Sequence, residues 1–198
     1  MIIGVTGGIA SGKSTVCQIL ASKGFIHIDA DDVAHEVLEM PDVVGRVTAV
    51  FGNEILYASE TQRGSLRIDR KALGKIVFAD PEKMIILEDI THPEVARLIR
   101  ERVFSDPEQD YVIEAIALVS SGIVEICDEL WVVYAEPEQQ IKRLMETRNL
   151  SLQDAIERLK SQEDHDWNEE NTSRIIYSTE PIEMMAQQID DALKQCYY

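Results

Sequence analysis

The stretch that decides the fold is MIIGVTGGIASGKSTV, which spans residues 1–16. It opens with a short β-prone run and continues into a glycine-rich turn. Residues 7–14 of this turn fit the pattern G-x-x-x-x-G-K-[ST]. The residues at the defined positions of the pattern are Gly7, Gly12, Lys13 and Ser14. After Lys13 the apolar residues recur with helical spacing, so strand, loop and helix follow in the order that a phosphate-binding loop requires.

The spacing of this pattern suits the chemistry of binding a nucleotide phosphate. Glycine lets the backbone approach a phosphate without a Cβ clash, and the N–H groups of the loop and of the following helix supply positive potential. In such loops the lysine reaches the β- and γ-phosphates, and the next hydroxyl can ligate Mg²⁺. We predict these roles for Lys13 and Ser14. The loop residues expected to contact the nucleotide are Gly7, Gly8, Ala10, Ser11, Gly12, Lys13, Ser14 and Thr15.

Nucleotide binding leaves open what happens to the γ-phosphate. GTPases and ATPase motors pass it to water, whereas small kinases pass it to a hydroxyl or phosphate group of a substrate. The chain has 198 residues, which is short for a motor, and it contains no guanine-reading segment of the NKxD type. These features favour a small kinase with a helical region that binds the phosphate acceptor.

Strands and helices alternate along the rest of the chain, which is typical of a parallel α/β sheet. Residues 111–118 and 130–135 are continuous apolar runs, as expected for strands buried on both faces. Residues 41–108 look entirely helical, and two helices there are expected to begin at Pro81 and Pro93. We predict a single domain, residues 1–198, with the three-layer α/β fold of P-loop NTPases. Its parts are a nucleotide-binding core (1–40, 109–140 and 173–198), a helical acceptor-binding insertion (41–108) and a short helical lid (141–172).

The stretch HIDADD, residues 27–32, places three carboxylates directly after a short apolar run that is expected to be a strand. Ligands of doubly wound sheets bind at the carboxyl ends of the strands. A carboxylate there can accept or orient the proton of an attacking hydroxyl. We assign that function to Asp31, interpret Asp32 as a helix cap, and leave Asp29 open between the two roles.

The segments GVTGGIASGKSTV, IDADDVAHEV, FGNEIL, IDRKALGKIVF and HPEV occur in this order and cover most of residues 1–105. Together they resemble the dephospho-coenzyme A kinase family. Its enzymes use ATP and Mg²⁺ to phosphorylate the 3′-hydroxyl of the dephospho-CoA ribose, the last step of coenzyme A synthesis. The resemblance implies that Asp31 is the base and that Arg70 and His92 lie near the acceptor. The alternatives are a surface arginine for Arg70 and, for His92, a cap of the helix that begins at Pro93.

The second half of the chain departs from the family pattern. Where the family has D-x-P-L-L-x-E-x-G, residues 114–122 read EAIALVSSG, and Glu114 keeps the first carboxylate. We assign Glu114 and Asp29 to the substrate side of the site. The predicted lid keeps Arg143, but its second arginine comes one position late, as Arg148. The resemblance implies that Arg143 stabilises charge on the transferring phosphoryl group and that Arg148 contacts the nucleotide, the alternative being two surface residues of a helix.

Composition limits the partners of the chain. A net charge of −17 argues against duplex nucleic acid, which needs a basic face on the protein. No run approaches the roughly 18 apolar residues of a membrane helix, and the first residues do not resemble a signal peptide. Three unpatterned cysteines indicate reduced thiols, and His27, His35 and His165 have no metal-ligand spacing. We expect a cytoplasmic enzyme with a small-molecule substrate, no membrane partner and, by preference, a monomeric state.

Two other functions stay open at this point. A nucleoside or nucleotide kinase of similar build would share the loop, and the missing L-L-x-E pattern is compatible with it. A degenerate nucleotide-binding regulatory protein would keep the loop without the chemistry, but a pure binder would not need Asp31 beside Lys13. ATP turnover, and the acceptor that stimulates it, separates the three functions.

Overall fold

The computed structural model describes residues 1–58, 66–160, 167–168, 170–178 and 181–196. The chain divides into two compact units. Met1–Asp29 and Arg102–Tyr198 form the first, the sheet unit, and Ala30–Glu101 forms the second, the helical unit. Among the described residues, no helix is both long enough and apolar enough to span a membrane.

Strands and helices alternate along the chain as the sequence predicts. The described strands are β1 (Ile2–Thr6), β2 (Ile26–Asp29), β3 (Leu56–Ala58), β4 (Leu66–Ile68), β5 (Tyr111–Glu114), β6 (Glu129–Tyr134) and β7 (Arg174–Tyr177). The described α-helices are α1 (Lys13–Ser22), α2 (Ala30–Val37), α3 (Pro41–Phe51), α4 (Arg70–Val77), α5 (Pro81–Ser105), α6 (Pro137–Arg148), α7 (Leu152–Lys160) and α8 (Ile182–Cys196).

The sheet unit is built on five parallel strands in the order β2-β5-β1-β6-β7. Because the strands are parallel, their carboxyl ends meet at one edge, where ligands of such sheets bind. Glu114, at the end of β5, pairs in register with Val5 of β1 on one side and with Asp29 of β2 on the other. Helices flank the sheet, which confirms the predicted three-layer α/β fold.

One hydrophobic core of the sheet unit is formed by the sheet together with α1 and α8. Val16 and Leu20 of α1, Ile189 of α8 and Trp131 of β6 are all fully buried. Burying an apolar side chain of this size stabilises a fold by about 1.5–3 kcal/mol. The start of α1, where the glycine-rich loop ends, is therefore attached to a closely packed core.

The helical unit contains a two-stranded antiparallel sheet, so the prediction that residues 41–108 are entirely helical was wrong. Leu56 pairs with Ile68, and Tyr57 pairs with Arg67. The connection, residues 59–65, lies outside the described residues. Three-residue strands are too short to show a period of two in the sequence, and these two form by pairing with each other.

Helix α5 runs unbroken for 25 residues and contains Pro93, so the prediction of two helices with a break before Pro93 was wrong. A proline in a helix interior removes one backbone hydrogen bond and costs about 3 kcal/mol. Apolar side chains are buried on both sides of the proline, among them Ile90, Val95 and Ile99. We infer that this burial offsets the cost and keeps the helix continuous.

Strand β5 ends at Glu114, four residues before the predicted end of the apolar run 111–118. Its neighbour β1 ends at Thr6, where the glycine-rich loop departs. Beyond that point β5 has no residues of β1 to pair with. The Ala115 N–H donates to Val5 O at 3.1 Å, and Thr6 Oγ1 donates to Ile116 O at 3.0 Å. Strand β5 thus ends where its pairing with β1 and β2 ends, and not where its apolar run ends.

Candidate active site

The glycine-rich loop has a backbone that only glycine accommodates at two positions. Gly7 has φ 144°, and a Cβ there would lie 2.3 Å from Val133 O. Gly12 has φ 105°, and a Cβ there would lie 2.8 Å from Ser178 Oγ. These two residues occupy the defined glycine positions of the sequence pattern, so the loop conformation agrees with that of a phosphate-binding loop.

The side chain of Lys13 turns back onto the loop. Its ammonium group donates to Gly7 O at 2.9 Å and to Gly8 O at 3.0 Å, and the residue is only 9% exposed. The N-terminus of α1, which begins at Lys13, adds the positive end of the helix dipole at the same place. The loop therefore concentrates positive potential in an otherwise acidic chain, as an anionic ligand requires.

Helix α6 holds the loop from its carbonyl side. Gln140, which is buried, donates its amide N–H to Ile9 O at 2.7 Å. Arg143 Nη1 donates to Ala10 O and Ser11 O, each at 3.1 Å. Arg143, predicted as a lid residue, thus contacts the loop itself. The prediction did not include Gln140, because a glutamine on a helix carries no motif.

Arg143 also binds Ser178, which follows β7. Its Nη1 atom donates to Ser178 Oγ at 2.9 Å, and Ser178 is buried. The same hydroxyl is the atom that a Cβ at Gly12 would approach most closely. Loop, α6 and the end of β7 therefore meet at one guanidinium group, which makes the loop conformation depend on all three.

Glu114 connects the loop helix to the carboxyl edge of the sheet. Its Oε1 atom accepts a hydrogen bond of 2.7 Å from Ser14 Oγ. Asp29, half-buried at the end of β2, is its register partner. The hydroxyl and carboxylate oxygens of this group are the ligands that Mg²⁺ prefers. The residues present therefore fit a magnesium ion, with Ser14 and Glu114 as the side chains that would hold it.

The acids of the HIDADD stretch divide between the two units. Helix α2 begins at Ala30, so Asp31 and Asp32 lie inside its first turn and both are exposed. The interpretation of Asp32 as a helix cap was wrong, because a cap precedes the first helical residue. Asp32 instead lies 3.9 Å from His35 Nδ1. Asp29 ends β2 in the sheet unit, whereas Asp31 belongs to the helical unit.

The other predicted residues lie on helices. Arg70 is the exposed first residue of α4, and Asp69 before it caps that helix by accepting from two backbone N–H groups. His92 is half-buried inside α5, so the alternative that it caps a helix was wrong. Arg148 is the exposed last residue of α6. The roles predicted for Arg70, His92 and Arg148 stay predictions.

The sheet order and the loop conformation together define a P-loop nucleotide-binding protein. Comparison with known proteins then gives the family. The sequence model of the dephospho-CoA kinase family matches residues 1–180. The chain belongs to the dephospho-CoA kinase family.

Individual relatives agree with this assignment. The dephospho-CoA kinase of Carboxydothermus hydrogenoformans is 42% identical over 165 residues, which cover 81% of this chain and 77% of that protein. The one from Geobacter metallireducens is 44% identical over 168 residues, which cover 82% and 80%. The solved structure of the dephospho-CoA kinase from Campylobacter jejuni is 30% identical, with a TM-score of 0.62, and the match covers 98% of this chain and 96% of that one.

Proposed function

We propose that the chain transfers the γ-phosphoryl group of ATP to the 3′-hydroxyl of the dephospho-CoA ribose, giving CoA and ADP. The observation that carries this proposal is the complete phosphate-binding loop, with Lys13 on its carbonyls and Ser14 joined to Glu114, in a member of this kinase family. The cytoplasm is the expected compartment, because the three cysteines are free thiols and thiols persist in reducing compartments.

The loop binds and orients the phosphates of ATP. Its backbone N–H groups and the start of α1 supply fixed dipoles, so little reorganisation is needed when charge moves during transfer. Lys13 adds a full positive charge at the loop. Arg143 and Gln140 donate hydrogen bonds to the loop carbonyls, and this keeps the loop N–H groups directed toward the phosphates. Arg148 is the proposed second cation for the nucleotide.

Ser14 and Glu114 would hold a magnesium ion beside the loop. When bound, Mg²⁺ supplies positive charge that neutralises phosphate oxygens during transfer. The task of the protein is to keep Ser14 and the carboxylate in place. Glu114 does this from the end of a buried strand, and Asp29 lies beside it in register.

Asp31 is the proposed base for the acceptor hydroxyl. In kinases a carboxylate accepts or orients the proton of the attacking hydroxyl. Asp31 comes two residues after Asp29, in the first turn of α2, on the chain that leaves the carboxyl edge of the sheet. Arg70 and His92 are the proposed contacts to dephospho-CoA in the helical unit.

The test of the reaction is ADP release with and without an acceptor. We expect dephospho-CoA to stimulate ADP release strongly in the presence of ATP and Mg²⁺, and nucleoside monophosphates to leave it at the basal rate. The product should carry the new phosphate on the ribose 3′-oxygen, which phosphorus NMR distinguishes. Stimulation by a nucleoside monophosphate without stimulation by dephospho-CoA would contradict the proposal.

The proposed base is tested by Asp31→Asn, with Asp32→Asn as the matched control in the same helical turn. We expect Asp31→Asn to lower kcat by a factor of roughly 10² or more while ATP binding stays nearly unchanged. Asp32→Asn should keep most of the rate. A nearly unchanged kcat in Asp31→Asn would mean that another group activates the hydroxyl.

A further inference from the structure

Three side chains that could hold a metal come together behind the loop helix. They are Cys17 of α1, His27 of β2 and Glu114 of β5, all in the sheet unit. One ligand atom from each lies within 4.8 Å of the other two. The residues are far apart in sequence, so their spacing along the chain did not predict a metal site. The pairing of β2 with β5 and the packing of α1 bring them together.

A second observation concerns the carboxylate of Glu114, which is only 7% exposed. Its Oε1 atom accepts from Ser14, but its buried Oε2 atom accepts no hydrogen bond from the described residues. His27 Nε2 lies 3.2 Å from it, in a geometry that is not a hydrogen bond. The Cys17 thiol is a weak donor to this carboxylate and leaves its buried charge poorly compensated, so a cation bound there would stabilise it.

Cys17 is fully buried in the core formed by the sheet, α1 and α8, and the proposed phosphoryl transfer makes no use of it. Burial raises the pKa of its thiol, and the carboxylate of Glu114 raises that pKa further. A metal would have to displace the thiol proton in order to bind this sulfur. Metal binding would replace this proton, which leaves to solvent as the metal–sulfur bond forms.

We propose that Cys17, His27 and Glu114 bind a zinc ion. Thiolate sulfur, imidazole nitrogen and carboxylate oxygen are the zinc donors of proteins, whereas Mg²⁺ takes oxygen ligands. Tetrahedral zinc with bonds of about 2.0–2.3 Å separates its ligands by roughly 3.3–3.8 Å. His27 Nε2 lies 3.2 Å from Glu114 Oε2, and the widest separation among the three ligand atoms is at most 4.8 Å, so the side chains need to move by no more than about 1 Å to reach that range. The His27 side chain is 28% exposed, so one of the three ligands is open to solvent.

Zinc at this place would act on the kinase reaction, and this step rests on the proposed function. Glu114 belongs to both sites, since Oε1 faces Ser14 while Oε2 faces His27. A zinc ion on Oε2 withdraws negative charge from the carboxylate and restrains its orientation. Both effects weaken the magnesium site at Ser14, so zinc is expected to inhibit phosphoryl transfer.

The binding test uses the full-length protein with Co²⁺ as a spectroscopic probe and Zn²⁺ in calorimetry. We expect the wild type to show a thiolate-to-cobalt charge-transfer band that Zn²⁺ abolishes. Cys17→Val should lose the band, and His27→Gln should weaken zinc binding by at least about tenfold, as loss of a metal-site residue does. The matched controls, Cys127→Ala and His35→Gln, should bind as the wild type does.

Several outcomes overturn the proposal. One is a wild type that binds neither ion, and another is a cobalt band that survives in Cys17→Val and disappears in Cys127→Ala. If circular dichroism shows that Cys17→Val does not fold, the test is His27→Gln, because the side chain of His27 is partly exposed and its replacement should leave the fold intact. Unchanged zinc affinity in a folded His27→Gln would also exclude this site.

The inhibition test measures ADP release at constant MgATP and dephospho-CoA while Zn²⁺ is raised. Each variant is compared with its own zinc-free rate. We expect half-inhibition of His27→Gln at a zinc concentration at least about tenfold above that of the wild type and of His35→Gln. Equal sensitivity of all three would overturn the inhibitory role. Zinc binding by a chain that never responds to dephospho-CoA would overturn the proposed function and leave the metal site standing.

Discussion

The contact between Arg143 and the loop leads to a quantitative prediction for Arg143→Ala. Its Nη1 atom donates to Ala10 O at 3.1 Å, to Ser11 O at 3.1 Å and to Ser178 Oγ at 2.9 Å. As a lid cation the arginine would matter only for the reaction. As a support of the loop it should matter for the stability of the folded chain as well.

The expected loss of stability follows from these contacts. Nη1 has two hydrogens but three acceptors, so we count the three contacts as two full hydrogen bonds. Hydrogen bonds to a charged group contribute about 1.5–3 kcal/mol each, and we take the lower value because Arg143 is half-buried. Arg143→Ala should therefore lower the free energy of unfolding by about 3 kcal/mol. For a chain of this length that corresponds to a fall in Tm of about 6–12 °C.

The assay combines thermal unfolding with steady-state kinetics. Because the loop carbonyls lose their donors, we expect kcat/KM for ATP to fall by roughly 10² as well. The matched control is Arg148→Ala, at the exposed end of the same helix, whose stability should change by less than about 0.5 kcal/mol. If Arg143→Ala has an unchanged Tm and a reduced kcat, Arg143 does not stabilise the loop and acts only as a catalytic cation.

Two further predictions concern the loop and the sheet. Gly7→Ala should destabilise the fold by about 3 kcal/mol or more, because its Cβ would lie 2.3 Å from Val133 O and its backbone has a positive φ. The variant should also show no ATP binding in calorimetry. Retained ATP affinity would contradict the loop geometry. For Glu129, burial raises the pKa, but hydrogen bonds from Arg174 and Trp131 outweigh it and hold the pKa below its usual value. Its stabilisation is thus present above the unfolded-state pKa and lost as pH falls through the folded-state pKa, so the difference in Tm between wild type and Glu129→Gln should shrink in that acidic range. A difference that is independent of pH would show that the charge of Glu129 does not stabilise the fold.

Local signals in the sequence are sufficient to specify several features of the structure. Asp69 caps α4, and Ser151 Oγ accepts from Asp154 N at 3.2 Å at the start of α7. Gly52 follows α3 with φ 86°. A cap depends on residues only two or three positions apart, so the chain specifies it without help from tertiary contacts.

Two of the wrong predictions about the fold share a physical cause. The continuation of α5 through Pro93 depends on the burial of its apolar side chains, and the end of β5 at Glu114 depends on neighbouring strands that are distant in the sequence. A local pattern describes the preference of a segment, but burial and strand pairing can outweigh that preference by several kcal/mol.

By itself the sequence determined the parallel α/β class, the phosphate-binding loop and the family, because short-range patterns of glycine, lysine and serine specify them. The tertiary structure alone decided which groups surround that loop. Ser14 meets Glu114 across 100 residues, and Arg143 reaches Ala10 across 133 residues. Contacts of this range follow from the order of strands in the sheet and from the burial of helices against it. The same order brings Cys17, His27 and Glu114 together, although no motif connects them.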